Sequence, residues 1–279
     1  MRFASFVYRG EHSWGAIFAQ EAAPLDAYWP SLKAAIGDEG LARAAELGSA
    51  AARIPLVEID WLPPIPQPGK ILCVGLNYED HRRETGRAVS GHPTIFTRFA
   101  DSQTAHEAPM LLPTNSDMLD YEAELAVVIG RGGRFIAATD ALPHVAGFSC
   151  YNDGSVRDWQ RHTSQFTPGK NFPGTGSFGP WLVTPEEFGP IGGQTITCRL
   201  NGEIMQQAKL DQMIFPVEEL IAYCSAFTPL SPGDVIVSGT PGGVGAARKP
   251  PLFMKEGDRV EVEIDGIGRL GNRVKRARD

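Results

Sequence analysis

The chain has 279 residues, and its 26 Lys and Arg against 33 Asp and Glu give a formal net charge of −7. An acidic chain whose only basic run is a short C-terminal tail lacks the positive surface of nucleic-acid and anionic-membrane binders. With 42% hydrophobic and 21% charged residues, the composition is that of an ordered globular protein, which excludes extensive disorder. The 31 Gly and 22 Pro are too many for a helical bundle and predict many short strands.

The first 66 residues predict a small α+β unit. Arg2–Val7 and Ser13–Phe18 form a predicted strand pair around a short turn, and Leu25–Arg53 has apolar residues at helical spacing interrupted by glycines, which indicates two short helices. A proline-rich segment at 63–68 is then rigid and extended. We therefore expect a small N-terminal domain at 1–66 and a main domain at 67–279.

Beyond this boundary, short apolar runs bounded by Gly, Pro, Asn or Asp predict strands. Asn201-Gly202 is a hairpin-turn signal, and Phe215–Phe227, with a proline near its start, predicts a helix. The predicted fold class is therefore β-rich α+β. The predicted strands are Ile71–Gly75, Thr94–Arg98, Glu122–Ile129, Val145–Tyr151, Thr195–Leu200, Asp234–Ser238 and Arg259–Ile264.

The cysteines and the N-terminus indicate a cytoplasmic protein. No Cys-x-x-Cys pair is present, so we expect buried free thiols and neither a zinc site nor a redox dithiol. Residues 1–18 lack the apolar block of a signal peptide, and no stretch approaches the ~18 apolar residues that indicate a membrane span. The cysteines are Cys73, Cys150, Cys198 and Cys224.

Three acids are candidate metal ligands. Glu122 and Glu124 alternate along a predicted strand and share one face, which continues with small and apolar side chains. A solvated strand face is the simpler interpretation, but like charges on a half-buried face need a cation. Asp153 follows another apolar run, where an Asx-turn or a helix N-cap is the alternative. A site of three carboxylates would favour Mg²⁺, Mn²⁺ or Ca²⁺ over Zn²⁺.

Two further segments carry candidate chemistry. His81 and Glu84 are three residues apart, so on a helix the carboxylate could orient the imidazole as a general base. An exposed helix with a casual His–Glu pair is the alternative. Ser238–Gly245 is a glycine-rich turn at a strand end that could aim N–H groups at an anion, or be a plain turn. It matches neither a Walker loop nor a dinucleotide-binding loop.

In this order the segments resemble the fumarylacetoacetate hydrolase superfamily, which includes acylpyruvate hydrolases and 2-hydroxyhepta-2,4-diene-1,7-dioate isomerases. Each motif alone is weak, but chance does not explain their common order between about Ile71 and Asn272. The matching residues are N-Y-x-x-H-x-x-E at Asn77–Glu84, P-x-x-F at Pro93–Phe96, D-Y-E-x-E-L at Asp120–Leu125, Tyr151–Gln160, Lys170, Leu200–Gly202, Gly239–Gly245 and Gly257-Asp258.

The resemblance implies a mixed β-roll catalytic domain preceded by a small N-terminal α+β domain, usually in a homodimer. It implies a Mg²⁺ or Mn²⁺ site, with Ca²⁺ as an alternative occupant in crystals, formed by Glu122, Glu124 and Asp153. The implied catalytic residues are His81 and Glu84 on a mobile lid and Lys170 facing the substrate. The implied substrate-binding residues are Tyr78, Arg157, Gln160 and Thr240.

The activity that the resemblance implies is metal-dependent hydrolysis of a C–C bond in a 2,4-dioxo acid such as fumarylpyruvate or maleylpyruvate, in aromatic or related carbon catabolism. The metal would stabilise the enolate, His81 would activate water, and Lys170 would stabilise the oxyanion. Two alternatives stay open: decarboxylation or isomerisation of a 2-oxo dioic acid, and a non-catalytic paralogue that binds metal and organic acid. The expected partner is a small 2-oxo acid, with no role for nucleic acid or membrane.

Overall fold

A computed structural model describes residues 1–88 and 90–278 of the chain. These residues form three β-sheets connected by short helices and turns, which confirms the predicted β-rich α+β class. In the described residues, no helix is both long enough and apolar enough to cross a membrane. All four cysteines are buried and unpaired, as predicted.

The N-terminal segment consists of a β-meander and two short helices. The predicted strand pair is confirmed as an antiparallel hairpin, with Arg9 and Gly10 at positive φ in its turn. Both predicted helices are present, and the first is capped by the Ser31 hydroxyl. The elements are β1 (Arg2–Tyr8), β2 (Glu11–Phe18), β3 (Glu21–Pro24), α1 (Leu32–Gly37), α2 (Leu41–Ala50), β4 (Ile54–Pro55) and β5 (Ile59–Trp61).

The rest of the chain contains the strands and helices that carry the predicted motifs. Its strands are β6 (Ile71–Gly75), β7 (Thr94–Arg98), β8 (Gln103–Thr104), β9 (Met110–Leu112), β10 (Leu119–Asp120), β11 (Ala123–Ile129), β12 (Val145–Asp153), β13 (Ser155–Val156), β14 (Gly176–Val183), β15 (Thr195–Leu200), β16 (Glu203–Lys209), β17 (Val235–Val237), β18 (Arg259–Ile264) and β19 (Gly268–Arg276). Its helices are α3 (Glu79–Glu84), α4 (Arg157–Gln160), α5 (Thr167–Lys170), α6 (Pro185–Phe188) and α7 (Val217–Phe227).

The largest sheet connects the N-terminal strands to the motif-bearing strands. Its main path runs β4-β3-β2-β1-β14-β12-β11-β17-β6-β7, and a second sheet runs β16-β15-β18-β19-β9. Because β1 pairs with β14, the N-terminal segment extends the same sheet that carries the site. The domain boundary at residue 66 stays a prediction.

The centre of the large sheet is buried on both faces. Every residue of β11 and β12 is buried, and Leu125 and Val127 of β11 belong to one apolar cluster with Val262 of the second sheet. Burying one such side chain completely contributes about 1.5–3 kcal/mol, so the packed sheets hold the ends of β11 and β12 rigidly. Those two ends carry the three acids.

Candidate active site

The three acids converge where β11 and β12 meet. The Asp153 N–H donates to the Glu122 carbonyl oxygen at 2.9 Å, so the two residues are neighbours across the strands, and Glu124 lies two residues further along the same strand face. Ligand oxygens of Glu122, Glu124 and Asp153 all lie within 4.8 Å of one another, and all three residues are buried. The acids therefore do not form a solvated strand face.

Buried cations already compensate two of these acids. Lys170, only 1% exposed at the end of α5, places Nζ 2.7 Å from Glu122 Oε2 and 2.5 Å from Asp153 Oδ2. Arg98, at the end of β7, contacts the other oxygen of Asp153 at 2.6 Å. Among the described residues, Glu124 has no ion-pair partner, and its Oε2 accepts the Gly239 N–H at 2.5 Å. The cluster therefore lacks positive charge at Glu124.

The pKa directions follow from this arrangement. Burial raises the pKa of Glu124 well above its usual range, and repulsion by Asp153 and Glu122 adds to the effect. Burial acts the same way on Glu122, but attraction by Lys170 and Arg157 overcomes it and lowers the pKa of Glu122. Burial opposes the charge of Lys170, yet its acidic neighbours raise the pKa of its ammonium group.

Oxygen-only donors with an uncompensated carboxylate fit a hard divalent cation. Mg²⁺ and Mn²⁺ prefer anionic oxygen ligands, and the triad offers three carboxylates within reach of a single ion. A divalent ion would supply the charge that Glu124 lacks. The residues that would hold it are the three predicted ligands, Glu122, Glu124 and Asp153.

Arg157 is fixed beside the triad by a second buried carboxylate, Asp120. The Arg157 Nε donates to Asp120 Oδ2 at 2.8 Å, Nη1 donates to Gln160 Oε1 at 2.9 Å, and Nη2 lies 2.7 Å from Glu122 Oε1. Asp120 also accepts the N–H groups of Gly245 and Ala246. Arg157 and Gln160 therefore reach the site as a preorganised pair.

The glycine-rich segment after β17 binds carboxylates of the protein itself. Besides Asp120, its N–H groups bind Glu124 through Gly239 and Glu84 through Gly243. Gly239 has φ +100°, and a Cβ there would lie 2.5 Å from the Asn77 Cβ, so only glycine fits. The expectation that this turn aims N–H groups at an anion is confirmed for these carboxylates.

His81 and Glu84 form the predicted dyad. His81 Nδ1 lies 2.7 Å from Glu84 Oε1, and the other oxygen of Glu84 accepts the Gly243 N–H at 2.8 Å. A carboxylate accepts at Nδ1, so the neutral ring carries its proton there and presents an unprotonated Nε2. His81 is buried, which excludes the alternative of an exposed, casual pair.

A cavity of about 370 Å³ brings these groups together. His81, Glu84, Glu122 and Glu124 line it, as do Arg157, Gln160, Lys170 and Thr240 among the predicted residues. Phe96 and Phe166, which contact each other edge to face at 5.6 Å, form an apolar part of the wall. Asp153 is not among the residues that line the cavity; its side chain contacts Lys170 and Arg98.

Two of the predicted substrate-binding residues, Tyr78 and Thr240, lie in surroundings that the sequence did not indicate. Tyr78 does not line the cavity: its side chain is buried in the apolar core, where burial and the charge of Glu124 raise the pKa of its phenol. Thr240 lines the cavity, but its hydroxyl donates to the Ala123 carbonyl at 3.0 Å and accepts from Gln206 at 2.8 Å. Its hydroxyl proton is therefore not available to a substrate carboxylate.

Sequence reasoning missed three supporting residues. Arg98 and Asp120 hold Asp153 and Arg157, and Gln206 holds Thr240 through a side-chain hydrogen bond. Asp120 belongs to the acid motif, and Arg98 is a charged residue at the end of an apolar strand. Both features could have identified these residues from the sequence. No sequence feature identified Gln206, because it contacts the site from a strand of the second sheet.

Comparisons with known proteins find similar sequences and similar structures. A bovine (Bos taurus) protein named oxaloacetate tautomerase FAHD2A, mitochondrial, is 46% identical over 223 residues, covering 79% of this chain and 71% of that protein. Fumarylacetoacetate hydrolase from Exiguobacterium antarcticum is 34% identical, with a TM-score of 0.87, covering 99% of this chain and 100% of that one. Maleylpyruvate hydrolase from Sphingobium sp. SYK-6, solved with manganese(II) and pyruvate, is 27% identical, with a TM-score of 0.84 and full coverage of both chains.

The family comparison covers most of the chain. The sequence profile described as fumarylacetoacetate (FAA) hydrolase C-terminal matches residues 70–275, a range that contains the triad, the dyad and the glycine-rich segment. The sequence-based recognition is thereby confirmed. The chain belongs to the fumarylacetoacetate hydrolase family.

Proposed function

We propose that this protein is a metal-dependent tautomerase that interconverts the enol and keto forms of a short 2-oxo diacid, with oxaloacetate as the first candidate substrate. The observation that carries the proposal is that an oriented base, His81, lines the same cavity as the acid triad. The name of the bovine relative supports the choice of oxaloacetate. This choice replaces acylpyruvate hydrolysis as the leading candidate.

Each group has a role that its surroundings support. A bound Mg²⁺ or Mn²⁺ would lower the energy of the negative charge that develops on the 2-oxo oxygen. His81 Nε2 takes a proton from C3 of the keto form, and the resulting enolate takes a proton from solvent at its 2-oxo oxygen to become the enol. In the reverse direction the enol loses that proton to solvent and protonated His81 returns a proton to C3, while Glu84 stabilises the protonated ring. A positioned base of this kind contributes roughly 10²–10⁴-fold to the rate.

Arg157, Gln160 and Lys170 bind and orient the substrate. Arg157 and Gln160, held in place by Asp120, orient the carboxylate next to the 2-oxo group. Lys170, with its charge retained by two acids, favours negative charge on the substrate near the triad. This arrangement differs from that of a non-catalytic binder, which needs no oriented base.

Hydrolysis of an acylpyruvate is the second candidate, supported by the likeness to maleylpyruvate hydrolase. In that reaction His81 would activate water instead of exchanging a C3 proton, and pyruvate would be released. The homodimer and the cytoplasmic location stay predictions.

One experiment separates the candidates. The protein is mixed with Mg²⁺ and enolic oxaloacetate, and enol absorbance, pyruvate and CO₂ are followed in parallel; acylpyruvates are tested in the same format. We expect the protein to accelerate the change in enol absorbance over the uncatalysed rate, without releasing pyruvate or CO₂. Acylpyruvate cleavage without any effect on the enol would establish hydrolysis, and CO₂ release would establish a decarboxylase.

A further inference from the structure

The exposed rim of the cavity carries two arginines that differ from those in its floor. Arg87, after α3, and Arg161, after α4, both line the cavity and both are exposed. Within the described part of the chain, neither guanidinium forms an ion pair or donates a hydrogen bond, whereas the nearby Arg82 and Arg83 both pair with Glu79. The rim therefore offers unpaired positive charge.

The acid nearest to Arg161 along the chain is already engaged. Asp158 lies three residues earlier, and its Oδ1 accepts the Ser116 hydroxyl at 2.8 Å and the Trp159 N–H at 3.0 Å. Glu84, the acid of the cavity wall near Arg87, is held by His81 and Gly243. Internal carboxylates thus leave both rim arginines available to a ligand.

The buried charged residues at the floor of the cavity can neutralise only one substrate carboxylate. Its buried acids are Asp120, Glu122, Glu124 and Asp153, and its buried cations are Arg98, Arg157 and Lys170. Among these seven residues, with the His81–Glu84 pair not counted, a divalent ion would turn a single excess negative charge into a single excess positive charge, which one carboxylate neutralises. A second carboxylate finds no further unpaired cation in the floor, so it is bound only if a cation at the rim pairs with it.

We propose that Arg161, assisted by Arg87, is a specificity-determining residue that binds the distal carboxylate of a 2-oxo diacid. This inference rests on the proposed function and deepens it by naming the residues that select a diacid. A guanidinium at the rim matches a carboxylate with two parallel hydrogen bonds, while the 2-oxo end of the same molecule lies at the triad. Monoanionic 2-oxo acids enter the same cavity without this contact.

The test compares oxaloacetate with its C4 methyl ester, which keeps the 2-oxo acid end and lacks the distal charge. Equilibrium dissociation constants of the Mg²⁺-loaded protein and kcat/KM for enol–keto conversion are measured for both compounds. The variants are Arg161→Gln, Arg161→Lys as the charge-conserving form, and Arg83→Gln as a matched control. Arg83 is an exposed arginine of α3 that does not line the cavity.

We expect the wild type to bind the diacid about 10-fold more tightly than the ester, the size of one charge-assisted hydrogen bond discounted for solvent. Arg161→Gln removes this preference by weakening diacid binding alone, Arg161→Lys keeps part of it, and Arg83→Gln leaves it unchanged. Equal weakening of both compounds, or a wild type without preference, would overturn the inference. If the wild type converts neither compound, the proposed function fails, while the ratio of dissociation constants still decides the role of Arg161.

Discussion

Replacing Glu124 by glutamine should have opposite effects on stability in the absence and presence of metal. In the metal-free protein, Glu124 has a raised pKa because of burial and of its acidic neighbours, so the folded state holds it protonated at pH values where the unfolded chain has lost the proton. Gln has nearly the same shape as a protonated Glu, and its oxygen can keep the Gly239 N–H. The substitution should therefore cost the metal-free fold little.

The sign of the pH dependence follows from linkage. A glutamate whose pKa is raised by folding stabilises the fold below the ordinary glutamate pKa, and this stability is lost as pH rises toward the folded pKa. The loss reaches about 1.4 kcal/mol per pH unit, which corresponds to roughly 3–6 °C in Tm for a chain of this size. Because Gln does not titrate, Glu124→Gln in EDTA should become more stable relative to wild type as pH rises.

Mg²⁺ should make the wild type more stable than Glu124→Gln, which reverses the order expected in EDTA. A ligand at 100 times its Kd stabilises the fold by about 2.7 kcal/mol, so the wild type should gain roughly 5–10 °C, whereas the variant, with one charged ligand fewer, should gain little. The assay is thermal unfolding in EDTA and in Mg²⁺ across pH. Asp153→Asn is the comparator, because it leaves the buried Arg98 without its carboxylate and Lys170 with Glu122 alone, and it should destabilise by about 3–5 kcal/mol even in EDTA. Strong destabilisation of Glu124→Gln in EDTA, or an undiminished Mg²⁺ gain, would refute the reasoning.

Three further predictions follow from the same contacts. His81→Ala should lower kcat by ~10²–10⁴-fold with unchanged Mg²⁺ affinity by calorimetry, and Glu84→Gln should lower it less, because the amide still holds the ring; a wild-type kcat in His81→Ala would remove the dyad from the mechanism. Asp120→Asn should cost about 2–4 kcal/mol in urea unfolding and raise KM, since an amide cannot accept from Arg157 and both loop N–H groups at once; unchanged stability would contradict this anchoring. Light scattering at micromolar concentration should give a dimer mass, and a monomer would exclude the predicted homodimer.

The strands that could be predicted from the sequence are those with their own boundary signals. Ile71–Gly75, Thr94–Arg98, Thr195–Leu200 and Arg259–Ile264 are observed with the predicted bounds, because Gly, Pro or Asn near their ends interrupts each apolar run. The Asn201-Gly202 turn adopts positive φ at both residues, as a two-residue hairpin requires.

Other strands depend on partners that the local sequence does not reveal. β14 contains two glycines and a proline and is not among the predicted strands, yet β1 and β12 pair with it on either side. β19 is rich in Gly and Arg and was not predicted; it is held by pairing with β18 and β9. In both, tertiary pairing outweighs weak local strand preference.

The site residues also divide into those that local sequence patterns predict and those that depend on distant partners. Glu122 and Glu124 could be placed on one face from strand alternation alone, and His81 with Glu84 from helical spacing. The resemblance implied that Lys170 faces the substrate, but not the two ion pairs that it forms with Glu122 and Asp153. Arg98 reaches Asp153 across 55 residues and Arg157 reaches Asp120 across 37, and contacts at such separations have no periodic signature in one sequence.

Proton exchange at C3 of a 2-oxo acid tests the central claim most directly, because it reports enolisation whatever the final product. Wild-type protein is incubated in deuterated water with saturating 2-oxobutyrate and Mg²⁺, and deuterium at C3 is followed by NMR beside EDTA-treated protein and His81→Ala. Our account predicts rapid incorporation by the Mg²⁺-loaded wild type and ~10²–10⁴-fold slower incorporation by His81→Ala. Incorporation by wild type at the background rate, or undiminished exchange in EDTA, would contradict it.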